Sequence, residues 1–390
     1  MPAGKDSPTD SLSIIGKGVP RVDGPAKAAG EAEFLSDIRL PGMLHARILR
    51  SHHPHARVLR VDPSRAASAP GVKAVITAAD TPKIPFSFVP SLADKLPLCD
   101  DRVRFVGDEV AAVAAETEEA AEEALSLIRV EYEPLPAVYD PEEAMGEDAP
   151  LLHEGKARNV AWEIHKTFGD PERGFAESDH VLEDHFSTQR AAHCPLETRA
   201  CIARWERATA GPRLTLWAST QAPHTFKEEV ARALGIDPRR VRTLKPPTGG
   251  AFGNRMVMEM AAPVAAILAQ RTGRPVKLAN TRTDEFQVSR TRYPYHIDLK
   301  TGFRSDGRLV ARSIRILVDN GAYNDKGSAT LSFAGSMFAV LYNVPHIRFD
   351  GYVVYTNRQP GTAFRGFGNP QVTFASECQM DRIAEFLDLD

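Results

Sequence analysis

The sequence of 390 residues predicts an α/β fold of the α+β type, and three observations support this prediction. First, short apolar runs of strand length alternate with longer helical patterns along most of the chain. Second, several of the predicted strands end in glycine-rich loops that lead directly into predicted helices. Third, the length is sufficient for about two or three domains, each with a hydrophobic core of its own.

The first part of the chain is predicted to be a small domain preceded by a tail. Residues 1–13 are polar and rich in Pro and Ser, so we expect them to be disordered. Residues 14–145 mix strand and helix patterns, and Thr117 is a suitable N-cap because acidic residues follow it. The predicted elements are MLHARILRS (43–51), VKAVIT (72–77), VGDEVAAVAAE (106–116), TEEAAEEALSLI (117–128) and the extended VEYEPLPAV (130–138).

A larger α/β region is predicted over residues 146–390, reached through a polar, poorly periodic connection at about 138–160. Gly235 is expected to end one of its helices, and a long antiparallel hairpin is expected to turn at residues 305–307. The predicted elements are LTLWAST (214–220), HTFKEEVARALG (224–235), VRTL (241–244), VMEMAAPVAAILAQRTG (257–273), RPVKLANTR (274–282), the hairpin (295–321) and QVTFASECQMDRIAEFLDL (371–389).

Composition excludes several classes of function. The net charge of −3 gives no basic field for nucleic acid. The cysteines have no zinc or iron–sulfur spacing, so we expect buried thiols and no metal-ligating side chains; they are Cys99, Cys194, Cys201 and Cys378. No apolar run reaches about 18 residues and no signal peptide pattern is present, so we expect no membrane span and a cytoplasmic location.

Three loops share one pattern, in which a strand is followed by Gly, Gln, Phe or Arg and then by a helix. We call 218–223 (ASTQAP) the first loop, 248–254 (TGGAFGN) the second loop and 362–371 (TAFRGFGNPQ) the third loop. Such loops present backbone N–H groups, and glycine lets the backbone approach a ligand closely. Each loop alone fits an ordinary turn, and neither a dinucleotide fingerprint nor a phosphate-binding P-loop is complete. Together they predict one large, polar, anionic ligand.

Six segments, in this order, resemble the molybdopterin-binding large subunit of the xanthine dehydrogenase/aldehyde oxidase family of molybdenum hydroxylases. They are QRAAHCPLETRACIA (189–203), the first loop, GGAFGN (249–254), RPVKLANTRTDEF (274–286), DNGAY (319–323) and TAFRGFGNPQ with ECQMDRIA (362–384). The resemblance covers nearly the whole chain. It implies an α/β hammerhead domain followed by the first half of a molybdopterin-binding domain with mixed sheets.

The resemblance also implies the cofactor and the residues around it. The expected ligand is a molybdenum pyranopterin, in the cytosine dinucleotide form, whose metal takes no protein side chain as a ligand. Gln221 and Arg365 are the implied catalytic residues, with Gln221 donating a hydrogen bond to an oxygen on the metal. The implied cofactor-binding residues are Gln221, Gly250, Phe252, Gly253, Ala363, Phe364, Arg365 and Gly366.

Four positions bear on the substrate. By alignment with the family, Met256 and Phe333 lie where purine-oxidising members carry a glutamate and an arginine, and Phe367 would stack on the substrate ring. A purine would therefore lose two polar contacts, on the order of several kcal/mol. We expect an aromatic, heteroaromatic or aldehyde substrate; the alternative interpretation is that both apolar residues are plain core residues. Ala363 stands where carbon monoxide dehydrogenases carry a cysteine, which disfavours carbon monoxide.

The sequence lacks the late Gly-Gln-Gly loop and the Gly-x-Gly-Glu segment that carries the family's catalytic glutamate. We therefore expect the N-terminal portion of a split large subunit, as in nicotinate-dehydrogenase-like enzymes, rather than an experimental fragment. The expected partners are a second molybdopterin-binding subunit, a 2Fe–2S subunit and an FAD subunit. The expected reaction is hydroxylation or the reverse, reductive dehydroxylation. The alternative is a non-catalytic scaffold or a cofactor-insertion partner.

Overall fold

The computed structural model describes residues 12–207, 209, 211–256, 258 and 261–389. Residues 1–11 of the predicted tail, and residues 257, 259 and 260 of the predicted helix 257–273, lie outside the described residues. Within this part of the chain, helices and strands alternate, which confirms the predicted α/β fold. No helix in the described part is both long and apolar enough to cross a membrane.

The first part of the chain is built around a central strand in which every residue is buried, Glu109–Ala115. As predicted, Thr117 caps the next helix, because its hydroxyl accepts a hydrogen bond from the Ala120 N–H at 3.1 Å. The elements are α1 (Gly24–Ala28), β1 (Leu44–Arg50), β2 (Ala56–Asp62), α2 (Ser64–Ala67), β3 (Val72–Thr77), β4 (Arg102–Val103), β5 (Glu109–Ala115), α3 (Glu118–Leu125), β6 (Arg129–Pro134) and α4 (Pro141–Ala144).

The second part contains the predicted hairpin, with Gly307 at φ 86° in its turn, and a long helix that the sequence analysis did not predict, Gly327–Leu341. The short helices Pro171–Ala176 and Arg282–Gln287 were not predicted either. The elements are β7 (Val160–Phe168), α5 (Pro171–Ala176), β8 (His180–Ser187), β9 (Ala200–Glu206), β10 (Arg213–Ala218), α6 (Pro223–Leu234), β11 (Val241–Leu244), α7 (Ala261–Thr272), β12 (Val276–Ala279), α8 (Arg282–Gln287), β13 (Thr291–Arg292), β14 (Tyr295–Phe303), β15 (Leu309–Gly321), α9 (Gly327–Leu341), β16 (His346–Tyr355), β17 (Gly361–Thr362) and α10 (Asn369–Phe386).

The largest sheet combines strands from both predicted domains, in the order β11–β10–β9–β12–β1–β5–β3. Strand β1 lies parallel to β12, with Leu44 opposite Val276, although the two strands are far apart in sequence. Helix α7 packs on this sheet with most of its side chains buried, and together they form the larger hydrophobic core. The predicted domain boundary between residues 145 and 146 stays a prediction.

A second sheet has the order β7–β16–β15–β14–β8, and helices α9 and α10 pack against it. Smaller sheets pair β4–β2–β6 and β13–β17. The first loop follows β10 and the second loop follows β11, both in the first sheet. The third loop follows β17, in the two-stranded β13–β17 sheet, and leads into α10, which packs on the second sheet. The fold therefore brings the three loops in from two different sheets.

A buried network of charged groups joins the two parts of the chain. The Lys95 ammonium lies 3.0 Å from the Asp108 carboxylate and 2.7 Å from that of Glu109. The Tyr323 hydroxyl, from the second part, donates to Asp108 at 2.7 Å, and the Lys95 nitrogen lies 4.2 Å from the centre of the Tyr323 ring. The two parts are therefore held together by paired charges as well as by the shared sheet.

Candidate functional site

The first loop is joined to the second loop by Gln221. Its backbone N–H donates to the Arg255 carbonyl at 2.8 Å, and its side-chain Oε1 accepts from the Gly253 N–H at 3.1 Å. Gln221 is exposed, and within the described part of the chain its amide nitrogen donates no hydrogen bond. Since an amide carries two N–H donors, Gln221 can donate to a ligand while it holds the second loop.

The second and third loops are in direct backbone contact. The Arg365 N–H donates to the Phe252 carbonyl at 2.9 Å. Gly253 has φ 107°, and a Cβ added there would lie 2.6 Å from the Ala363 carbonyl oxygen. Only glycine tolerates both this backbone conformation and this close approach. The glycine at this position therefore serves the contact between loops, which brings Gln221, Phe252, Gly253, Ala363 and Arg365 together.

Two phenylalanines at the site have left-handed backbone conformations. Phe252 has φ 55° and Phe367 has φ 52°. Such conformations cost a bulky residue on the order of 1–3 kcal/mol and occur most often at ligand-binding and active sites. Phe252 is 40% exposed, and the Arg365 guanidinium lies 5.6 Å from the centre of its ring. The strain therefore presents an aromatic ring and a cation at the surface of the junction.

The Glu197 carboxylate binds the first and second loops by hydrogen bonds. The sequence analysis did not identify Glu197 as a residue of the site. Its carboxylate accepts from the Gly249 N–H at 2.8 Å and from the Ser219 hydroxyl at 2.7 Å. The guanidinium of Arg255, which is 2% exposed, lies 3.5 Å from the same oxygen. Arg255 also donates to the Gly250 carbonyl at 2.8 Å. The signal in the sequence that could have indicated this role is that Glu197 is an acidic residue inside the segment 189–203.

His193 supports the third loop in the same way. Its Nε2–H donates to the Ala363 carbonyl at 2.9 Å, and its ring stacks on Phe364 at 4.0 Å between centroids. Arg292 lies 4.1 Å from the centre of the same Phe364 ring and donates to the Arg365 carbonyl at 2.8 Å. Burial lowers the pKa of His193 to about 4, so the imidazole is neutral at neutral pH.

The three candidate substrate residues lie around these loops. Phe333, on α9, is 40% exposed, and its ring lies 6.1 Å from that of Phe367 in an edge-to-face arrangement. Met256 is half-buried at the end of the second loop. The structure therefore brings two of the three together as an aromatic pair. Gly250 and Gly366 both have positive φ values, at 104° and 96°, within their loops.

A ligand held here would bind mainly to backbone and amide groups. Within the described residues, no group of three or more His, Cys, Asp or Glu side chains could hold a metal ion. The available donors are instead the Gln221 amide and the Arg365 guanidinium, beside the closely packed backbones of Gly253 and Ala363. This fits a metal that arrives inside an organic cofactor and suits a large polar ring system. The fold and the loops thus define a protein of the cofactor-binding class.

Comparison with known proteins identifies the family. Residues 152–390 match the model described as "Molybdopterin cofactor-binding domain". Residues 29–136 match that described as "Aldehyde oxidase and xanthine dehydrogenase, a/b hammerhead domain". The chain therefore belongs to the xanthine dehydrogenase and aldehyde oxidase family of molybdenum-dependent oxidoreductases. The predicted resemblance and the predicted hammerhead and molybdopterin-binding architecture are confirmed.

Two curated relatives show how much of the family this chain covers. A probable xanthine dehydrogenase subunit of Bacillus subtilis is 40% identical over 95% of this chain and 49% of its own length. The "Nicotinate dehydrogenase large molybdopterin subunit" of Eubacterium barkeri is 36% identical over 97% of this chain and 87% of its own. The chain thus spans about half the length of the first relative and most of the second.

Solved structures agree with the fold. The aldehyde oxidoreductase of Desulfovibrio gigas superposes with a TM-score of 0.90 at 32% identity, covering 95% of this chain and 42% of that one. The quinoline 2-oxidoreductase of Pseudomonas putida 86 superposes with a TM-score of 0.86 at 30% identity, covering 95% and 48%. The loops described above are therefore part of a fold shared with molybdenum enzymes of greater length.

Proposed function

We propose that this chain forms one wall of a molybdenum–pyranopterin site in a multi-subunit hydroxylase. The observation that carries the proposal is the junction of the three loops, in which Gly253 contacts both Gln221 and Ala363 while the Gln221 amide nitrogen stays available as a donor. When bound, the molybdenum cofactor supplies the oxygen-transfer and two-electron redox chemistry. The residues of this chain hold, orient and shield it.

Each loop has its own part in this proposal. Gln221 donates its amide hydrogen bonds to the cofactor, and the backbones around Phe252–Gly253 and Ala363–Gly366 pack against its ring system. Arg365, held beside Phe252, places a positive charge where negative charge develops. The cytosine dinucleotide form of the cofactor belongs to the same proposal. The proposal also includes iron–sulfur clusters and FAD bound to partner subunits.

We propose that the catalytic glutamate comes from a second molybdopterin-binding subunit. The described acids near the loops already hold neighbouring groups, and one of them, Asp325, accepts from the Thr362 hydroxyl of the third loop and pairs with Arg290 at 2.9 Å. Glu197 binds the Gly249 N–H, and Glu229 accepts from the Met258 N–H at 2.7 Å. Burial, and then the charge of Asp325, raise the pKa of Glu229 to about 7. A general base must lie within hydrogen-bond reach of its substrate, and these carboxyl side chains are at most 9% exposed.

The proposed substrate is an aromatic or heteroaromatic compound or an aldehyde, hydroxylated or reductively dehydroxylated at a ring or carbonyl carbon. The Phe333–Phe367 pair offers an edge-to-face aromatic contact, and Met256 is also apolar. One similar relative is named for xanthine and another for nicotinate, so similarity alone does not select a substrate class. The choice of an aromatic or aldehyde substrate therefore rests on Met256, Phe333 and Phe367. A cytoplasmic location is part of the proposal and is supported by four free thiols.

The test uses the complex purified with its native partner chains. We expect stoichiometric molybdenum, and we expect Gln221→Ala to lower kcat about 100-fold while the molybdenum content stays near that of the parent. Gln287→Ala is the matched control, because Gln287 is an exposed glutamine on α8 outside the loops. A native complex without molybdenum would support the scaffold or insertion role instead. Full activity of Gln221→Ala would remove the assigned role of that residue.

A further inference from the structure

A basic recess lies beside the first loop and is used by none of the roles above. It has a volume of about 300 Å³ and lies between the first turns of α6, the edge strand β11 and the start of β10. None of the described residues that line it is acidic. The lining residues are Arg213, Pro223, His224, Lys227, Arg239, Val241, Arg242 and Thr243. We call this feature the α6–β11 recess.

The positive charge of the α6–β11 recess is only partly neutralised. Arg239 forms an ion pair with Asp237 at 2.6 Å. Arg213, Lys227 and Arg242 form no ion pair or side-chain hydrogen bond with any residue in the described part of the chain. Elsewhere the exposed arginines often have a partner, as Arg173 does with Glu177. Three cations that converge on one recess without carboxylates raise the local concentration of anions.

The first turn of α6 adds to this field. This helix of 12 residues begins at Pro223, and no side chain caps its N-terminus. Its first N–H groups and the positive end of its dipole therefore contribute partial positive charge near His224 and Lys227. The hydroxyl of Thr243, on β11, is buried without a hydrogen-bond partner among the described residues. It can donate to an oxyanion within the recess.

The position of the α6–β11 recess ties it to the loop junction. Pro223 is two residues after Gln221, so their Cα atoms are at most about 7 Å apart. Strand β11 carries Arg242 and Thr243 and ends at Leu244, separated from the second loop by residues 245–247. An extended ligand with one end at the junction can therefore place its other end in the recess. Arginine is the side chain best suited to phosphate, because its fork of N–H donors matches two oxygens.

We propose that the α6–β11 recess binds a phosphate or diphosphate group at the distal end of a ligand whose reactive end lies at the loop junction. The placement of the ligand's reactive end at the loop junction rests on the proposed function. The group could belong to a nucleotide-bearing cofactor or to a phosphate-bearing substrate. Arg213, Lys227 and Arg242 bind its oxygens, while His224 lies at the uncapped start of α6.

The binding test uses the purified complex and inorganic diphosphate, titrated by calorimetry at low and high salt. We expect saturable binding that weakens with salt, and a loss of about tenfold in affinity for Arg242→Gln and for Lys227→Gln. Arg232→Gln is the matched control, an exposed arginine on α6 outside the recess, and should change the affinity less than about twofold. Exposed substitutions of this kind leave the fold intact.

Equal affinities in Arg242→Gln and Arg232→Gln would overturn the inference. Absence of diphosphate binding to the parent would also overturn it if Arg242→Gln keeps its bound nucleotide and molybdenum, because the recess is then neither free nor filled by the cofactor. Loss of bound nucleotide and molybdenum from Arg242→Gln would assign the group to the cofactor. A raised KM for a phosphate-bearing substrate with unchanged molybdenum content would assign the group to the substrate. If Arg242→Gln shows neither of these two effects, the inference is overturned. A complex without molybdenum that still binds diphosphate through Arg242 would refute the proposed function alone.

Discussion

Replacing Glu197 by alanine tests whether the loop junction depends on the carboxylate beneath it. The substitution removes the acceptor for the Gly249 N–H and the Ser219 hydroxyl, and it removes a negative charge that lies 3.5 Å from the buried Arg255 guanidinium. A hydrogen bond to a charged group contributes about 1.5–3 kcal/mol, and breaking a buried ion pair costs about 3–5 kcal/mol. These contributions overlap because they share one carboxylate, so we expect a loss of about 4 kcal/mol.

Glu197→Gln separates the charge from the hydrogen bonds. Its amide oxygen can still accept from Gly249 and Ser219, so we expect a loss of only about 1–2 kcal/mol. Glu228→Ala is the control, because Glu228 is an exposed acid on α6. Urea unfolding of the full chain measures all three variants. Fluorescence reports on the three tryptophans, of which Trp217 lies at the end of β10 next to the first loop.

The expected order of unfolding midpoints is parent and Glu228→Ala together, then Glu197→Gln, then Glu197→Ala. Hydrogen exchange at the Gly249 amide should increase in the same order, because that N–H loses its acceptor. If Glu197→Ala unfolds at the same urea concentration as the parent, the carboxylate does not support the loops. If stability falls while exchange at Gly249 stays slow, the loss arises from Arg255 alone.

Three further predictions concern the same junction. Gly253→Ala should destabilise the chain by about 2–4 kcal/mol in urea unfolding, because its Cβ would lie 2.6 Å from the Ala363 oxygen at φ 107°, and an unchanged midpoint would contradict this contact. His193 has a pKa of about 4, below the ordinary 6.5, so its unfolded form binds more protons between these values and stability falls as pH drops through that window. We expect the parent to lose about 3 kcal/mol more than His193→Gln between pH 7 and pH 4, measured by unfolding at each pH, and equal losses would exclude this role. The double variant Met256→Glu, Phe333→Arg should raise kcat/KM for xanthine about tenfold or more relative to a heteroaromatic substrate, and an unchanged ratio would refute the proposed use of these residues.

The local elements could be predicted because their signals are local. Thr117 caps α3 through a hydroxyl three residues from its partner, and Gly235 ends α6 at φ 64°. Helix α9 escaped prediction because its sequence, GSATLSFAGSMFAVL, is almost uniformly small or apolar. Its buried side chains face β16 and α10, while exposed positions such as Phe333, Val340 and Leu341 are apolar too, so no amphipathic period is visible. The pairing of β1 with β12 depends on packing between distant segments and has no local signal.

The loops were recognisable from the sequence, but what holds them was not. Glycine, glutamine and phenylalanine in a strand–loop–helix pattern indicate a ligand site because their conformational demands are unusual. Glu197 and His193 are ordinary residues in an unremarkable segment. Their importance comes only from which backbone groups the fold places against them.

The segment 193–197 reaches all three loops, and this has a consequence for coupling between them. Glu197 binds the first two loops through Ser219 and Gly249, and His193 binds the third through Ala363. A displacement of this segment therefore moves all three loops together, because a short stretch of backbone joins its two side chains. Glu197→Gln and His193→Gln should consequently be non-additive in stability, whereas each should add to Lys227→Gln, which lies outside the junction. A double-mutant cycle measured by urea unfolding tests this, and strict additivity of the first pair would show that the loops are held independently.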